Sequence, residues 1–116
     1  MSYTITMKVP VVDDAIDDII DGAGYSIGYW ASNAEVDSKA QTYTVTDSDS
    51  GKKYPLTYAD IARAIQTVAD GKAGIRQDIQ DAITLDILDY ENAERMDSEA
   101  YDVLIQLACF NEVVYG

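Results

Sequence analysis

The segment VVDDAIDDIID, residues 11–21, most constrains the fold of this chain, because its six apolar residues and five aspartates separate onto two faces of a helix. The apolar residues recur at intervals of three and four, which predicts an amphipathic helix with one face in a core. The aspartates form two rows on the opposite face, Asp13, Asp17 and Asp21 in one and Asp14 and Asp18 in the other. No basic residue interrupts either row.

Repulsion within these rows is small but real. Acids in the first turn complement the helix dipole, which accounts for Asp13 and Asp14. Asp17, Asp18 and Asp21 lie beyond that effect, and each like-charge pair four residues apart costs roughly 0.2–0.5 kcal/mol. The pairs together cost about 1 kcal/mol, which a folded domain tolerates for the sake of solubility. Lysine would relieve the repulsion, so the uniform sign favours a role in binding.

The excess of acid is concentrated in two stretches. The chain carries 21 acidic and 8 basic residues, for a net charge of −13. Residues 1–33 contribute −4, residues 78–102 contribute −8, and the remainder contributes −1. Such a field repels nucleic acid and attracts basic proteins, so we expect no direct binding to DNA or RNA. Whether the two stretches share one face is a question of tertiary structure.

The remaining periodicities predict a mixed α and β domain. Alternating and β-branched residues predict four strands, from Tyr3 to Val9 and over residues 25–34, 41–47 and 52–57. Helical spacing predicts three more helices, at residues 58–70, around residues 75–83, and from Asp97 or Ser98 onward. We therefore predict one acidic α+β domain, residues 1–116, with a small three- or four-stranded, mostly antiparallel sheet packed against about four helices.

Local signals set several boundaries of these elements. Gly22 and Gly24 are expected to end the first helix, as glycine often does. Pro55 favours an edge position for the strand at residues 52–57. Thr57 and Asp60 have the spacing of a capping box at the start of the next helix.

Two segments carry apolar residues that favour burial. In the strand at residues 41–47, Tyr43 and Val45 share one face, opposite a face of threonines. The C-terminal residues FNEVVYG keep an apolar pattern almost to the end. We expect them to pack on the sheet as a short added strand, or against a second copy of the chain.

Three segments resemble a family of small acidic proteins from phages and mobile elements. They are IGYW at residues 27–30, LTYADIARAI at residues 56–65 and AYDVLIQLACFNEVVYG at residues 100–116. In that family a DD-I helix leads to GIGYW, and the chain ends in a segment like FGE-VYG. Asn111 stands where the family has glycine. The resemblance covers most of the chain and implies a phage-type context, without assigning any site residue.

The residues that catalysis and metal binding most often use are missing from this sequence. There is no histidine, which removes the usual general base and the commonest zinc ligand. DGKAG, residues 70–74, lacks the spacing of a P-loop. DSDSGKKYPLTY, residues 47–58, begins like a calcium loop but ends in Tyr58, where a bidentate glutamate is needed. We predict a non-enzymatic protein with no catalytic residue, metal or cofactor.

The sequence also predicts the compartment. Cys109, the single cysteine, lies in the apolar segment VLIQLACF without an evident cationic neighbour, which favours an inert core thiol over a nucleophile. No apolar run approaches 18 residues, and the start MSYTITMKVP lacks the features of a signal peptide. We expect no membrane span and a location in the reducing cytoplasm of a bacterial host.

Aromatic residues supply a second type of candidate contact. The chain has nine tyrosines and one tryptophan, and Tyr25, Tyr29 and Trp30 cluster around Gly28. They can pack a strand against the helices, or anchor an interface as tyrosine and tryptophan often do. Both can hold, because a strand has two faces.

These features together predict an anti-CRISPR-like inhibitor of phage type that mimics nucleic acid in the basic groove of a host nucleic-acid-binding protein. That partner would be a CRISPR effector, or a restriction or repair enzyme. The expected contact residues are Asp13, Asp14, Asp17, Asp18, Asp21, Asp86, Asp89, Glu91, Glu94, Tyr25, Tyr29 and Trp30. The alternative is a phage structural or assembly protein that forms a homodimer or larger homo-oligomer. A third hypothesis, a protein that sequesters a small ligand, requires an internal pocket.

Overall fold

The computed structural model describes residue 3 and residues 8–116. Within them, four α-helices and three strands alternate with turns. Their bounds are α1 Asp13–Ala23, β1 Ala31–Asp37, β2 Thr42–Asp47, β3 Lys53–Thr57, α2 Tyr58–Ala69, α3 Gln77–Leu88 and α4 Ser98–Phe110. A short 3₁₀ helix, Tyr90–Asn92, lies between α3 and α4. The strands form one antiparallel sheet in the order β1-β2-β3, which confirms the predicted α+β fold.

The last helix, α4, is central to the core. Its buried apolar residues are Ala100, Val103, Leu104, Ile105, Leu107 and Ala108. Because they point in several directions, α4 is covered on most sides, and it contacts α1, α2, α3 and β3. The helices α1 and α2 instead bury one face each, as their spacing predicts. No helix in the described part of the chain is long and apolar enough to cross a membrane.

Two local predictions at the sheet are confirmed. Tyr43 and Val45 of β2 are buried on one face, and Pro55 lies in β3 at an edge of the sheet. The capping box at α2 is also present: the Thr57 hydroxyl accepts from the Asp60 N–H, and the Asp60 carboxylate accepts from the Thr57 N–H.

The strand predicted at residues 25–34 begins only at Ala31. Residues 24–30 form helix-like turns, in which the Trp30 and Ala31 N–H groups both donate to the Ile27 carbonyl. This places Ile27 and Trp30, three residues apart, on the same buried side. In a strand they would point to opposite faces, so burial of both side chains favours turns over a strand.

Two predictions at the chain ends have different outcomes. The strand predicted from Tyr3 to Val9 falls mostly outside the described residues, and Lys8 and Val9 lie in no strand or helix. The predicted C-terminal strand is wrong, because residues 111–116 form no strand and the Val114 and Tyr115 N–H groups bind a side chain, Gln106 Oε1. The predicted packing is present in part, since the Tyr115 ring stacks on Trp30.

The end of α1 differs from the prediction at Gly22. The helix continues through Ala23, and Gly24 is its C-cap, so Gly22 lies inside the helix. A Cβ atom on Gly22 would lie 2.5 Å from ring carbons of Tyr101 in α4. Glycine is therefore present at this position because it lets the two helices approach closely.

Replacing Gly22 tests this approach. We expect Gly22→Ala to lower the free energy of unfolding by about 1–2 kcal/mol, because overpacking outweighs the better helix propensity of alanine. Urea denaturation followed by circular dichroism measures the change. Gly28→Ala is the control, since nothing lies within 4 Å of a Cβ built there. A Gly22→Ala protein at least as stable as the parent would contradict the packing role.

Candidate functional site

The five aspartates of α1 all remain exposed, and tyrosines of other elements donate to two of them. The Tyr58 hydroxyl at the start of α2 donates to Asp17, and the Tyr90 hydroxyl donates to Asp18 over 2.7 Å. Among the residues that the structure describes, no ion pair involves any of the five. The donors are neutral, so they satisfy carboxylate oxygens without cancelling their charge.

The same hydrogen bonds keep these tyrosines protonated. The hydrogen bond to Asp17 raises the pKa of Tyr58 to about 12, with further contributions from burial and from Asp13 and Asp21. The hydrogen bond to Asp18 raises the pKa of Tyr90 to about 12 in the same way. Both phenols are therefore donors throughout the neutral range, and the surface keeps its negative charge.

The contact between Asp18 and Tyr90 brings the two acidic stretches of the sequence together. Tyr90 begins the 3₁₀ helix, between the exposed residues Asp89 and Glu91. A cavity of about 50 Å³ between α1 and this region is lined in part by Asp18, Tyr90 and Glu94. Glu94 thus lies beside Asp18 of α1, and Asp89 and Glu91 flank the tyrosine that binds Asp18. These three acids and the five aspartates of α1 form what we call the acidic surface.

Asp86, predicted as a contact residue, is not part of the acidic surface, because its side chain is only 2% exposed. Its carboxylate accepts from the backbone N–H of Arg95, at 3.0 Å, and of Met96, at 2.8 Å. The Arg95 guanidinium adds an ion pair at 3.2 Å. Asp86 therefore anchors the loop that carries Glu91 and Glu94, and its predicted surface role is corrected.

Trp30 is the second predicted contact residue that the structure places inside the protein. It is 2% exposed, and its indole Nε1 donates to Asp102 Oδ1 over 2.8 Å. Gln106 Nε2 donates to the same oxygen over 2.9 Å, and the Tyr29 hydroxyl donates to Oδ2 over 2.5 Å. Neutral donors alone thus satisfy this buried carboxylate, and Trp30 shapes the surface only indirectly.

The buried roles of Asp102 and Gln106 were not predicted from the sequence, although a signal was available. They are polar residues four positions apart in a helix that is otherwise apolar over most of its length. Such residues share a face, and when buried they require partners. Here they hold the C-terminal residues: Gln106 Oε1 accepts from the N–H groups of Val114 and Tyr115, both at 2.8 Å.

Tyr25 and Tyr29, the two remaining predicted aromatic contacts, differ in how freely each could contact a partner. Tyr25 is 96% exposed and free to contact a partner. Tyr29 is exposed in its ring, but its hydroxyl is bound to Asp102. Burial and this hydrogen bond raise the pKa of Tyr29 to about 12. Tyr25 is therefore the better candidate anchor.

Candidate reactive and metal-binding groups have structural roles. Burial raises the pKa of the Cys109 thiol to about 12, so the thiol is protonated at neutral pH and a poor nucleophile. Over residues 3 and 8–116 no group of three or more histidine, cysteine or acidic residues could hold a metal ion. In the segment that begins like a calcium loop, Asp47 accepts from the hydroxyls of Tyr115 and Ser50, both at 2.8 Å.

Comparison with known proteins assigns no family. No protein-family model matches the chain, and neither a curated protein nor a solved structure matches it significantly. The resemblance based on IGYW and the C-terminal segment stays a prediction. One detail bears on it: Asn111, which stands in place of glycine, has a left-handed backbone with φ of 60°. Asparagine and glycine are the residues that adopt this conformation most readily.

Proposed function

We propose that this protein is a small inhibitor of phage type, which acts in the bacterial cytoplasm by occupying the basic groove of a host nucleic-acid-binding protein. The single observation that carries the proposal is the acidic surface, which is continuous from α1 to the 3₁₀ helix and whose α1 aspartates have no ion pairs in the described part of the chain. Such a surface is complementary to a groove built to bind phosphates.

The spacing of charges supports mimicry rather than general acidity. The α1 helix presents five aspartates within nine residues, from Asp13 to Asp21. At about 1.5 Å per residue this corresponds to roughly one charge every 3 Å along the helix axis. A single DNA strand carries one phosphate about every 3.4 Å. A CRISPR effector is the first partner to test, followed by restriction and repair enzymes.

Two observations favour inhibition over the alternative of assembly into a homo-oligomer. Trp30, one of the three aromatic residues that suggested an oligomer interface, packs inside one chain, with its ring centroid 5.4 Å from that of Phe110 and 5.5 Å from that of Tyr115. The net charge of −13 also opposes association between identical chains. Neither feature opposes a basic partner.

The proposal predicts capture of a basic protein that nucleic acid displaces. The immobilised protein is incubated with bacterial lysate, and captured proteins are identified by mass spectrometry at low and high salt. We expect a nucleic-acid-binding protein that is released by 0.5–1 M salt, on the order of the concentrations that screen exposed charges within a few ångströms. Duplex DNA or RNA should compete with the immobilised protein for the basic groove of the captured protein, and so release it.

Matched variants locate the contact. Replacing Asp13, Asp17 and Asp21 by asparagine should weaken binding by roughly tenfold, since three rim charges at about 0.5 kcal/mol each contribute about 1.5 kcal/mol. The control replaces three exposed acids of other elements, Asp70 and Asp81 by asparagine and Glu112 by glutamine. Equal weakening in both would mean that net charge alone drives binding. Unchanged affinity of the α1 variant at low salt would exclude α1 as the contact.

A further inference from the structure

The two edges of the sheet differ in their protection against pairing with another strand. On the β3 edge, Pro55 lacks an N–H group and Lys53 adds a charge, two common ways in which edges are blocked. The β1 edge has neither proline nor lysine between Ala31 and Asp37, and every residue after Ala31 is exposed. Only a bulge between Ala31 and Asn33 interrupts it. No other strand in the described part of the chain pairs with β1 on this side, so the β1 edge is open.

The register identifies the backbone groups on this open edge. The Asp47 N–H donates to the Lys52 carbonyl at 2.9 Å, so Asp47 and every second residue before it direct their backbone groups toward β3. Val45 is one of these residues, and it lies opposite Ala34 of β1. Ala34 accordingly directs its N–H and C=O away from β2, and so does Val36, two residues further along.

The inner face of β1 is uncovered as well. Ala34 and Val36 lie opposite Val45 and Tyr43, so they share the face that is buried in β2. Even so, Val36 is 57% exposed. An open groove of about 750 Å³ runs between this face and α1, with Ile20 and Ile27 among its apolar lining residues. Within residues 3 and 8–116, no fourth strand covers the sheet where its apolar face continues.

One acidic residue of α1 lines this groove, and a second contacts the β1–β2 turn. Asp21 lines the groove, and Asp13 in the same row accepts from Gln41 Nε2 of the β1–β2 turn over 3.1 Å. The row of Asp13, Asp17 and Asp21 is therefore turned toward the hairpin. A strand paired to β1 would direct alternate side chains into this groove, and the others to the opposite face, where β1 carries the exposed acids Glu35 and Asp37.

We propose that β1 and this groove bind an extended segment of the target protein in which basic and apolar residues alternate, and that the segment adds a fourth strand to the sheet. The inference rests on the proposed function, whose partner is basic. Backbone hydrogen bonds at the open edge and alternate pockets are the two elements of this recognition mode. A second copy of the chain fits less well, because pairing of two β1 strands would bring Glu35 and Asp37 of one copy beside the same acids of the other.

The test uses a defined probe, the peptide Lys-Val-Lys-Val-Lys with both ends capped, titrated into the ¹⁵N-labelled protein. We expect shifts of amide resonances concentrated at residues 31–37 and 20–28, with slowed hydrogen exchange at Ala34 and Val36. The same peptide N-methylated at alternate amides keeps its charge but cannot pair. It should bind roughly tenfold more weakly than the unmodified peptide. The acidic peptide Glu-Val-Glu-Val-Glu should bind at least as weakly as the N-methylated one.

Two protein variants test the edge itself. Ala34→Pro removes one outward N–H without removing a bond to β2, and it should weaken peptide binding by roughly tenfold with little change in melting temperature. If Ala34→Pro fails to fold, Val36→Lys blunts the edge at an exposed position and repels the basic probe. Asp81→Asn, far along the sequence in α3, is the control and should bind normally.

Several results would overturn the proposal. They are shifts spread evenly over the acidic surface, equal binding of the N-methylated peptide, no binding at millimolar peptide, or β1 amides already protected in a dimer seen by sedimentation. Each leaves the proposed function standing if lysate capture still yields a protein that nucleic acid displaces. Peptide pairing at β1 without such capture would instead retain the open edge as a binding site and reject nucleic-acid mimicry.

Discussion

Deletion of residues 113–116 is expected to lower the free energy of unfolding by about 3–5 kcal/mol, the range for removing a packed aromatic side chain from a core. The Tyr115 ring stacks on Trp30 with an interplanar angle of 10°, and its hydroxyl donates to Asp47. The deletion also removes every backbone group that hydrogen-bonds to the side chain of Gln106, which is fully buried. An amide left without these partners adds to the loss.

Urea denaturation and sedimentation velocity check this prediction together. A lower midpoint at unchanged monomer mass would agree with loss of intramolecular packing. Tyr115→Phe is the matched control, since it keeps the ring and removes only the hydroxyl, and should lower stability by about 0.5–1.5 kcal/mol. A truncated chain with the midpoint of the parent would show that the C-terminal residues contribute nothing to the fold.

The second large effect is expected at Asp86. Asp86→Ala should lower the free energy of unfolding by about 2–4 kcal/mol, because it leaves the N–H groups of Arg95 and Met96 without their acceptor in a partly buried site. The loop carrying Glu91 and Glu94 would lose its anchor. We therefore expect Asp86→Ala to weaken partner binding, although the buried Asp86 side chain does not itself contact the partner.

Thermal melting and partner capture measure the two effects of this substitution. Asp89→Ala removes an exposed acid three positions along and should change stability by no more than about 0.5 kcal/mol. Asp86→Asn keeps the shape and one acceptor oxygen, so it should lie between the alanine variant and the parent. If Asp86→Ala binds the partner as tightly as the parent does, the position of the loop is irrelevant to recognition.

Pairs of tyrosine and aspartate explain how so acidic a chain folds with few bases. In the described part of the chain, tyrosine hydroxyls donate to five aspartates, namely Asp17, Asp18, Asp47, Asp49 and Asp102. Lysine or arginine in these places would satisfy the same oxygens but cancel the charge. A neutral donor satisfies the oxygen and leaves the negative potential in place, which suits a protein that binds through its charge.

The sequence by itself determined the features that depend on local periodicity and capping. The two faces of α1, the buried side of β2, the capping box at Thr57 and the start of α4 after Asp97 all follow from residues within one or two turns of each other. Such features are predictable because neighbouring residues in a helix or strand have a set geometry. The overall α+β class followed from the order of these elements.

Tertiary structure alone decided which acids form the acidic surface and which edge of the sheet is open. Asp18 and Tyr90 are 72 residues apart, as are Trp30 and Asp102, so no local pattern predicts either contact. Asp86 looks like one more surface acid in the sequence, yet it is buried because the backbone of a later loop supplies its donors. Burial of a carboxylate depends on partners that only the folded chain brings within reach.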